Sequence, residues 1–152
     1  MSVEFNIEGL DEVQEKFKRL GNPRLMKNAA RRSMRKAMAI VRDAARNNAK
    51  GIDDPETAEK IWKNIAIAAG KTRNPNEVVM RVGVRGGASF SNPNPPSTRG
   101  GDTRHWRWIE FGSVHNPPVP FMRPALQNNI QAVMSSFAHN FNAEIDKELA
   151  KL

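Results

Sequence analysis

The sequence predicts an α+β domain, an antiparallel sheet of about four strands packed by two long helices. Three observations carry that expectation. Leu25 to Ala45 and Leu126 to Leu152 both hold apolar residues at helical spacing over many turns. Short runs that alternate apolar and polar residues, including Val3–Glu8 and Glu77–Val84, lie outside those stretches. The chain has 152 residues, which suits a single domain spanning 1–152.

The elements follow in order. Val3, Phe5 and Ile7 occupy the inner face of a first strand that Gly9 ends. Leu10, Val13, Phe17 and Leu20 form a short amphipathic helix, with Asp11 and Glu12 at its dipole-favoured N-terminus and Gly21 after it. Asn22-Pro23 restarts a helix, Asn22 as N-cap and Pro23 in the first helical position. That helix runs to about Lys50. Its apolar side is Leu25, Met26, Ala29, Met34, Ala37, Met38, Val41, Ala44 and Ala45, and Lys27, Arg31, Arg35, Arg42 and Arg46 lie on the other side. Gly51–Pro55 is a turn, and a helical turn begins at Thr57–Lys60. Ile61–Ala69 and Glu77–Val84 read as the arms of a hairpin reversed at Asn74-Pro75-Asn76.

Gly86–Thr103 is dominated by Gly, Ser, Asn and Pro, and is expected to be a long mobile loop of about 86–104. Trp106–Phe111 is expected as the last strand, its alternation placing Trp106 and Trp108 on one face as core or interface anchors. Pro117, Pro118 and Pro120 stiffen the arm that follows Gly112. From about Arg123, Leu126, Ile130, Val133, Met134, Phe137, Phe141, Ile145, Leu149 and Leu152 form the stripe of one continuous helix, with Pro124 in its first turn.

Composition narrows the function. There is no cysteine, so disulfides, zinc–thiolate sites and thiol nucleophiles are excluded. The N-terminus lacks the pattern of a secretory signal, and no apolar stretch approaches the ~20 residues of a membrane span. A formal charge of +8 favours nucleic acid or an acidic protein surface as partner, against the plainer reading of a solvated basic surface.

No catalytic, metal or cofactor site emerges. His105, His115 and His139 match no ligand spacing. Gly83-Val84-Arg85-Gly86-Gly87 lacks the Gly-Lys-Ser/Thr ending of a phosphate-cradling loop. The only dense acids, Asp53, Asp54 and Glu56, sit in a Pro-containing turn, so a metal-dependent nuclease ranks last. Glu110 sits in an apolar run with no acid–base partner near it in sequence, so a structural ion pair with an arginine of another element or subunit is preferred to catalysis. Trp106, Trp108, Glu110, Phe111, Phe121 and Arg123 are therefore expected to hold the subunit, or an assembly of subunits, together. Arg31, Arg35, Arg42 and Arg46 are the candidate contacts to DNA or a protein partner. No turn-and-recognition-helix pattern accompanies them. Arg104, Trp106, Arg107 and Trp108 do interleave bases with aromatics as single-strand binders do.

The Val3-Glu4-Phe5 strand, Ile7-Glu8-Gly9-Leu10-Asp11 and the Ala- and Arg-rich helix that follows resemble the minor tail-component family of long-tailed bacteriophages. Trp106–Ser113 is similar to that family's apolar-Glu-aromatic-Gly-Ser/Thr signature, and Pro120–Leu126 to its Pro-Phe-Leu-Arg-Pro-Ala signature. The likeness is to the tail-completion proteins of lambda-like phages, the minor tail protein Z class. The chain departs where Thr57-Ala58-Glu59-Lys60-Ile61 replaces a Thr-Gly-x-Leu run, and in a longer Gly86–Thr103 segment. The resemblance implies a non-enzymatic virion protein of the tail or neck, assembled in the host cytoplasm, without cofactor or membrane. It implies a homo-oligomeric ring, a hexamer, at the head–tail junction. The implied neighbours are tail terminator, tail tube or head-completion proteins, with DNA as a possible contact in the lumen. The alternative is a basic protein that binds nucleic acid directly.

Overall fold

A computed structural model describes residues 15, 16, 18–53, 56, 60–74, 77–85, 100, 103 and 105–151. The expected strand at Val3–Glu8, the first half of the short N-terminal helix, the turn at 57–59 and nearly all of 86–104 lie outside the described residues. The described remainder of the N-terminal segment is helical through Leu20 and ends at Gly21, whose φ of 62° is the left-handed conformation glycine adopts freely.

Helix α1, Pro23–Lys50, is the spine of the fold. The Asn22 side chain accepts from the amides of Arg24 and Leu25, and Pro23 occupies the first turn. Its fully buried residues are Ala29, Ser33, Ala37, Val41, Ala45 and Ala49, one ridge of four-residue steps. At about 100° per residue each such step advances roughly 40° around the axis, so the ridge winds across the helix. The N-terminal half of the ridge therefore packs on the C-terminal helix, where Ala29 meets Phe141, Ile145 and Leu20. The C-terminal half packs elsewhere: Val41, Ala45 and Ala49 join Ile61, Ile65, Val84, Phe121 and Ala125 in a second cluster. Small residues along the ridge let both partners approach closely. Ser33 is tolerated there because its hydroxyl donates to the carbonyl of Ala29 at 2.8 Å.

A short helix α2, Ile61–Asn64, leads directly into strand β1, Ile65–Ala69. Strand β1 pairs antiparallel with β2, Met80–Val84, from Ile65 opposite Val84 to Ala69 opposite Met80. Ile65, Ile67, Met80 and Val84 are buried on the face toward α1. Among the described residues the sheet has two strands, not about four. Within the described chain one expected strand is shortened and another is absent. Ile61–Asn64 is helical, because the Asp53 carboxylate accepts from the amides of Ile61 and Trp62 at 2.9 and 3.2 Å and closes that turn. Trp106–Phe111 is a helix, α3.

The last long helix is also divided. Helix α4, Met122–Gln127, ends at Asn128, and α5 runs over Ile130–Ala150. Asn129 turns the chain between them, its side-chain amide donating to Ala125 O at 2.8 Å. Asparagine competes for backbone hydrogen bonds and so favours such a break. Helix α5 lies antiparallel along α1. Glu144 of α5 receives Arg32 at 3.0 Å and Lys36 at 3.4 Å, and Glu148 receives Arg32 at 3.4 Å. Burial raises the Glu144 pKa, but hydrogen bonds from Arg32 and Lys36 and the charges of Lys147 and Arg32 outweigh it and hold the carboxyl below its usual range.

Candidate functional site

The centre of the expected site is Glu110, and its surroundings explain why an acid stands among apolar residues. In a helix, Trp106, Ile109 and Glu110 share one face, whereas a strand would have grouped Trp106, Trp108 and Glu110. Trp106 and Ile109 pack against the core, Glu110 is 1% exposed, and Trp108 and Phe111 point outward with 50% and 62% of their surface free. The intrachain core role is thereby closed to Trp108 and Phe111. The amide of Trp106 donates to Thr103 O at 3.1 Å, which starts the turn.

The chain next reverses at Gly112, with φ 82°. A Cβ there would stand 2.9 Å from Pro118 Cδ, so both the backbone angle and the packing of the proline arm call for glycine. The arm returns alongside α3, where Val119 N donates to Ile109 O at 2.7 Å. It delivers Phe121, fully buried in the cluster with Val41, Ala45 and Ile65. Asn48 of α1 donates to Phe121 O at 3.2 Å and fixes the same residue through its backbone.

Here the carboxylate acts. Glu110 Oε2 accepts from the amides of Phe121 at 2.7 Å and Met122 at 3.0 Å, and Oε1 accepts from the amide of Arg123 at 2.9 Å. These are orphan donors of the N-terminus of α4, which has no cap of its own. The Arg123 guanidinium adds Nε to Oε1 at 3.1 Å and Nη2 to the Glu110 carbonyl at 2.6 Å, and stacks over the Phe111 ring at 5.1 Å. Glu110 thus supplies the capping side chain for a helix that begins twelve residues further along the chain. The negative charge also suits the positive end of the helix dipole. Burial would raise its pKa. The three amides and Arg123 outweigh that and hold it below 4.5. Pro124 follows because the position after three capped amides needs no donor. The Trp106–Ser113 and Pro120–Leu126 signatures are therefore the two halves of one clamp. Its carboxylate is saturated with donors, leaving it no capacity as a base.

The outer surface of this clamp carries exposed apolar side chains among polar ones. Trp108, Phe111, Val114, Val119 and Leu126 are the exposed large hydrophobic residues among those described, and all lie within residues 108–126. An open groove of about 550 Å³ runs along Phe111–Pro118. Val114 at its rim is 99% exposed.

The candidate arginines separate into two groups. Arg42 pairs with Asp43 at 2.9 Å, and Arg46 donates twice to the carbonyl of Ile65, at 3.1 and 2.8 Å. Arg31 and Arg35 are exposed and make no side-chain hydrogen bond or ion pair among the described residues. The winding of the buried ridge brings Arg46 to the hairpin while leaving Arg31 and Arg35 outside, and Arg42 pairs with its own neighbour.

Sequence reasoning missed a second fixing point. Asn64 is 2% exposed; its Nδ2 donates to Thr103 Oγ1 at 2.8 Å and its Oδ1 accepts from Gly100 N at 2.8 Å. Thr103 in turn donates to Arg85 O at 3.1 Å, and Lys60 N donates to Gly100 O at 2.7 Å. Gly100 and Thr103, expected within the mobile loop, are buried pegs. A Cβ on Gly100 would collide with the Lys60 carbonyl and the Asn64 side chain. Among the described residues no group of His, Asp and Glu is placed to hold a metal ion. No described helix is long and apolar enough to cross a membrane.

The family model described as "Bacteriophage HK97-gp10, putative tail-component" matches residues 11–112. That span is more than half of the chain. It includes Glu110 and Gly112 but stops before the proline arm and helices α4 and α5. Neither the curated proteins nor the solved structures gave a match. On that match, which takes in the spine helix and the hairpin, the chain belongs to the HK97-gp10-like family of bacteriophage tail components.

Proposed function

We propose that this protein is a tail-completion subunit of the minor tail protein Z class, which builds a homo-oligomeric ring at the head–tail junction. The ring is a hexamer whose neighbours are tail terminator, tail tube or head-completion proteins, and it works without catalysis. The observation that carries this reading is the clamp with its apolar rim. Glu110 fixes the arm and α4 rigidly, and the exposed Trp108, Phe111 and Val114 stand on that fixed base. Large exposed apolar groups gathered in one place mark an interaction surface. Covering what remains exposed of Trp108 and Phe111 would contribute about 1–2 kcal/mol each. A neighbour bound by one face and binding through another closes a ring when the rotation between copies divides the circle.

The test is the native mass of the wild-type protein, alone and mixed with the candidate neighbours, beside a Trp108→Ser/Phe111→Ser variant. The reading predicts a closed oligomer for the wild type under at least one condition. The variant should remain folded and monomeric, its melting temperature lowered only by the loss of the Phe111 ring's contacts with Arg123 and Trp106. A wild-type protein that stays monomeric with every neighbour, or a variant that assembles as well as the wild type, contradicts it.

A further inference from the structure

We infer that the outer face of the N-terminal half of α1, carried by Arg24, Arg31 and Arg35, holds the phosphate backbone of duplex DNA.

Three observations support this. The first is direction. At about 100° per residue, Arg24, Arg31 and Arg35 fall within roughly 40° of one another around the helix axis and form a row about 16 Å long. The second is the division of the cations of α1. Arg32 and Lys36, on the flank toward α5, are tied to Glu144 and Glu148. Arg42 and Arg46 are tied to Asp43 and the Ile65 carbonyl. Arg24, Arg31 and Arg35 are exposed and carry no side-chain hydrogen bond or ion pair among the described residues. The third is what the face lacks. From Arg24 to Arg35 the side chains beside the row are Lys27 and Asn28, with no acid and no aromatic residue.

These features select the partner. A protein interface is organised around an apolar or aromatic centre and is depleted of charge there, and this face has no such centre. The surface of that kind is the Trp108–Val114 rim, a separate part of the chain. A single strand is held by stacking its bases on aromatics, which the row also lacks. A line of guanidiniums on a straight helix matches the charge and fixed geometry of duplex phosphates, which arginine contacts with paired donors. Nothing on the face reads bases, so binding is independent of sequence and sensitive to salt. The proposal does not require the ring, and oligomerisation through the apolar rim is measured separately.

The experiment is fluorescence anisotropy of a labelled 20-base-pair duplex titrated with the protein across a salt series beginning at 20 mM NaCl. The wild type should bind, with affinity falling as salt rises. Each phosphate contact contributes roughly −0.9 to the slope of log K against log salt, so Arg31→Ala/Arg35→Ala should flatten it by about 1.8. Over a fourfold rise in salt, that flattening is roughly a twelvefold smaller loss of affinity. Arg31→Lys/Arg35→Lys keeps the charges and should keep most of the slope. Arg73→Ala/Arg81→Ala removes the same formal charge from exposed positions at the hairpin and should leave the slope near that of the wild type. All three variants should melt with the wild type. The proposal is overturned if the wild type does not bind at 20 mM NaCl, if the hairpin variant loses as much slope as Arg31→Ala/Arg35→Ala, or if the lysine variant binds no better than the alanine one. It is also overturned if polyglutamate displaces the duplex at equal charge concentration, which would indicate an acidic protein as the partner.

Discussion

Replacing Glu110 with glutamine changes one atom, yet the structure predicts a large effect. Each carboxylate oxygen serves two donors: Oε2 takes the Phe121 and Met122 amides, and Oε1 takes the Arg123 amide and guanidinium. Glutamine has one acceptor oxygen. In either orientation its NH2 group must face two donors, so two of four hydrogen bonds are lost and two N–H groups oppose a third. Losing a hydrogen bond to a charged group costs about 1.5–3 kcal/mol. Arg123 is half exposed and water takes over part of its loss, so the expected destabilisation is about 2–4 kcal/mol. Glu110→Ala leaves all four donors without the carboxylate and should cost at least as much. Urea unfolding followed by tryptophan fluorescence gives the difference directly, since Trp106 and Trp108 lie on α3 itself. The effect should also depend on pH. With the folded pKa of Glu110 below 4.5, the unfolded state binds the proton first as pH falls. The contribution is therefore complete above about 4.5 and is lost as pH drops through the folded value. The gap between wild type and Glu110→Gln should narrow over that interval. A glutamine variant within about 0.5 kcal/mol of wild type at pH 7 would refute the clamp, since ordinary surface changes reach that size.

Other perturbations test the remaining supports. Phe121→Ala should cost about 3–5 kcal/mol in urea unfolding, because the ring is fully buried between α1 and the hairpin. Gly112→Ala should cost about 1–3 kcal/mol from its positive φ, with further loss from the contact with Pro118, and calorimetry should record the lower melting point. Asn64→Ala should destabilise by about 1–3 kcal/mol by leaving Gly100 and Thr103 without their buried partner. Exchanging residues 87–98 for a short Gly-Ser linker should leave the melting temperature near wild type, because Thr103 already lies 3.1 Å from the Arg85 carbonyl; extending the exchange through Thr103 should lower it.

The long helices were legible because their signal is repeated. Asn22-Pro23 and the apolar steps of α1 and α5 each recur over several turns, and local chemistry agrees with the tertiary fold. The α3 segment was not legible in the same way. Trp-Arg-Trp-Ile-Glu-Phe is six residues long and satisfies both a two-residue and a helical period, so pattern alone cannot choose. The choice is made at a distance by the bare amide ends of α4, which need an acid held on the same face as Trp106 and Ile109. The small size of the sheet has a similar origin. Ile61–Asn64 has strand-like composition, but Asp53 caps it as a helix from eight residues away. The apolar pattern of α1 is visible in sequence as far as Ala45, but Ser33 does not show as part of it because its polarity is satisfied only in the folded helix. Gly100 and Thr103 looked like part of a loop because small and polar residues carry the same composition whether they are buried pegs or solvated chain. The four arginines are equivalent in sequence for a further reason: the rotation that brings Arg46 to the Ile65 carbonyl appears only when the buried positions are followed along the helix.

The most direct measurement of the central claim is a count of this protein in purified phage tails, by quantitative mass spectrometry against a tail protein of known copy number. An account in which the chain acts as a fixed structural unit of the neck predicts a small constant number of copies per particle, six for the hexamer. Absence from finished particles, or a copy number that varies between preparations, would contradict it.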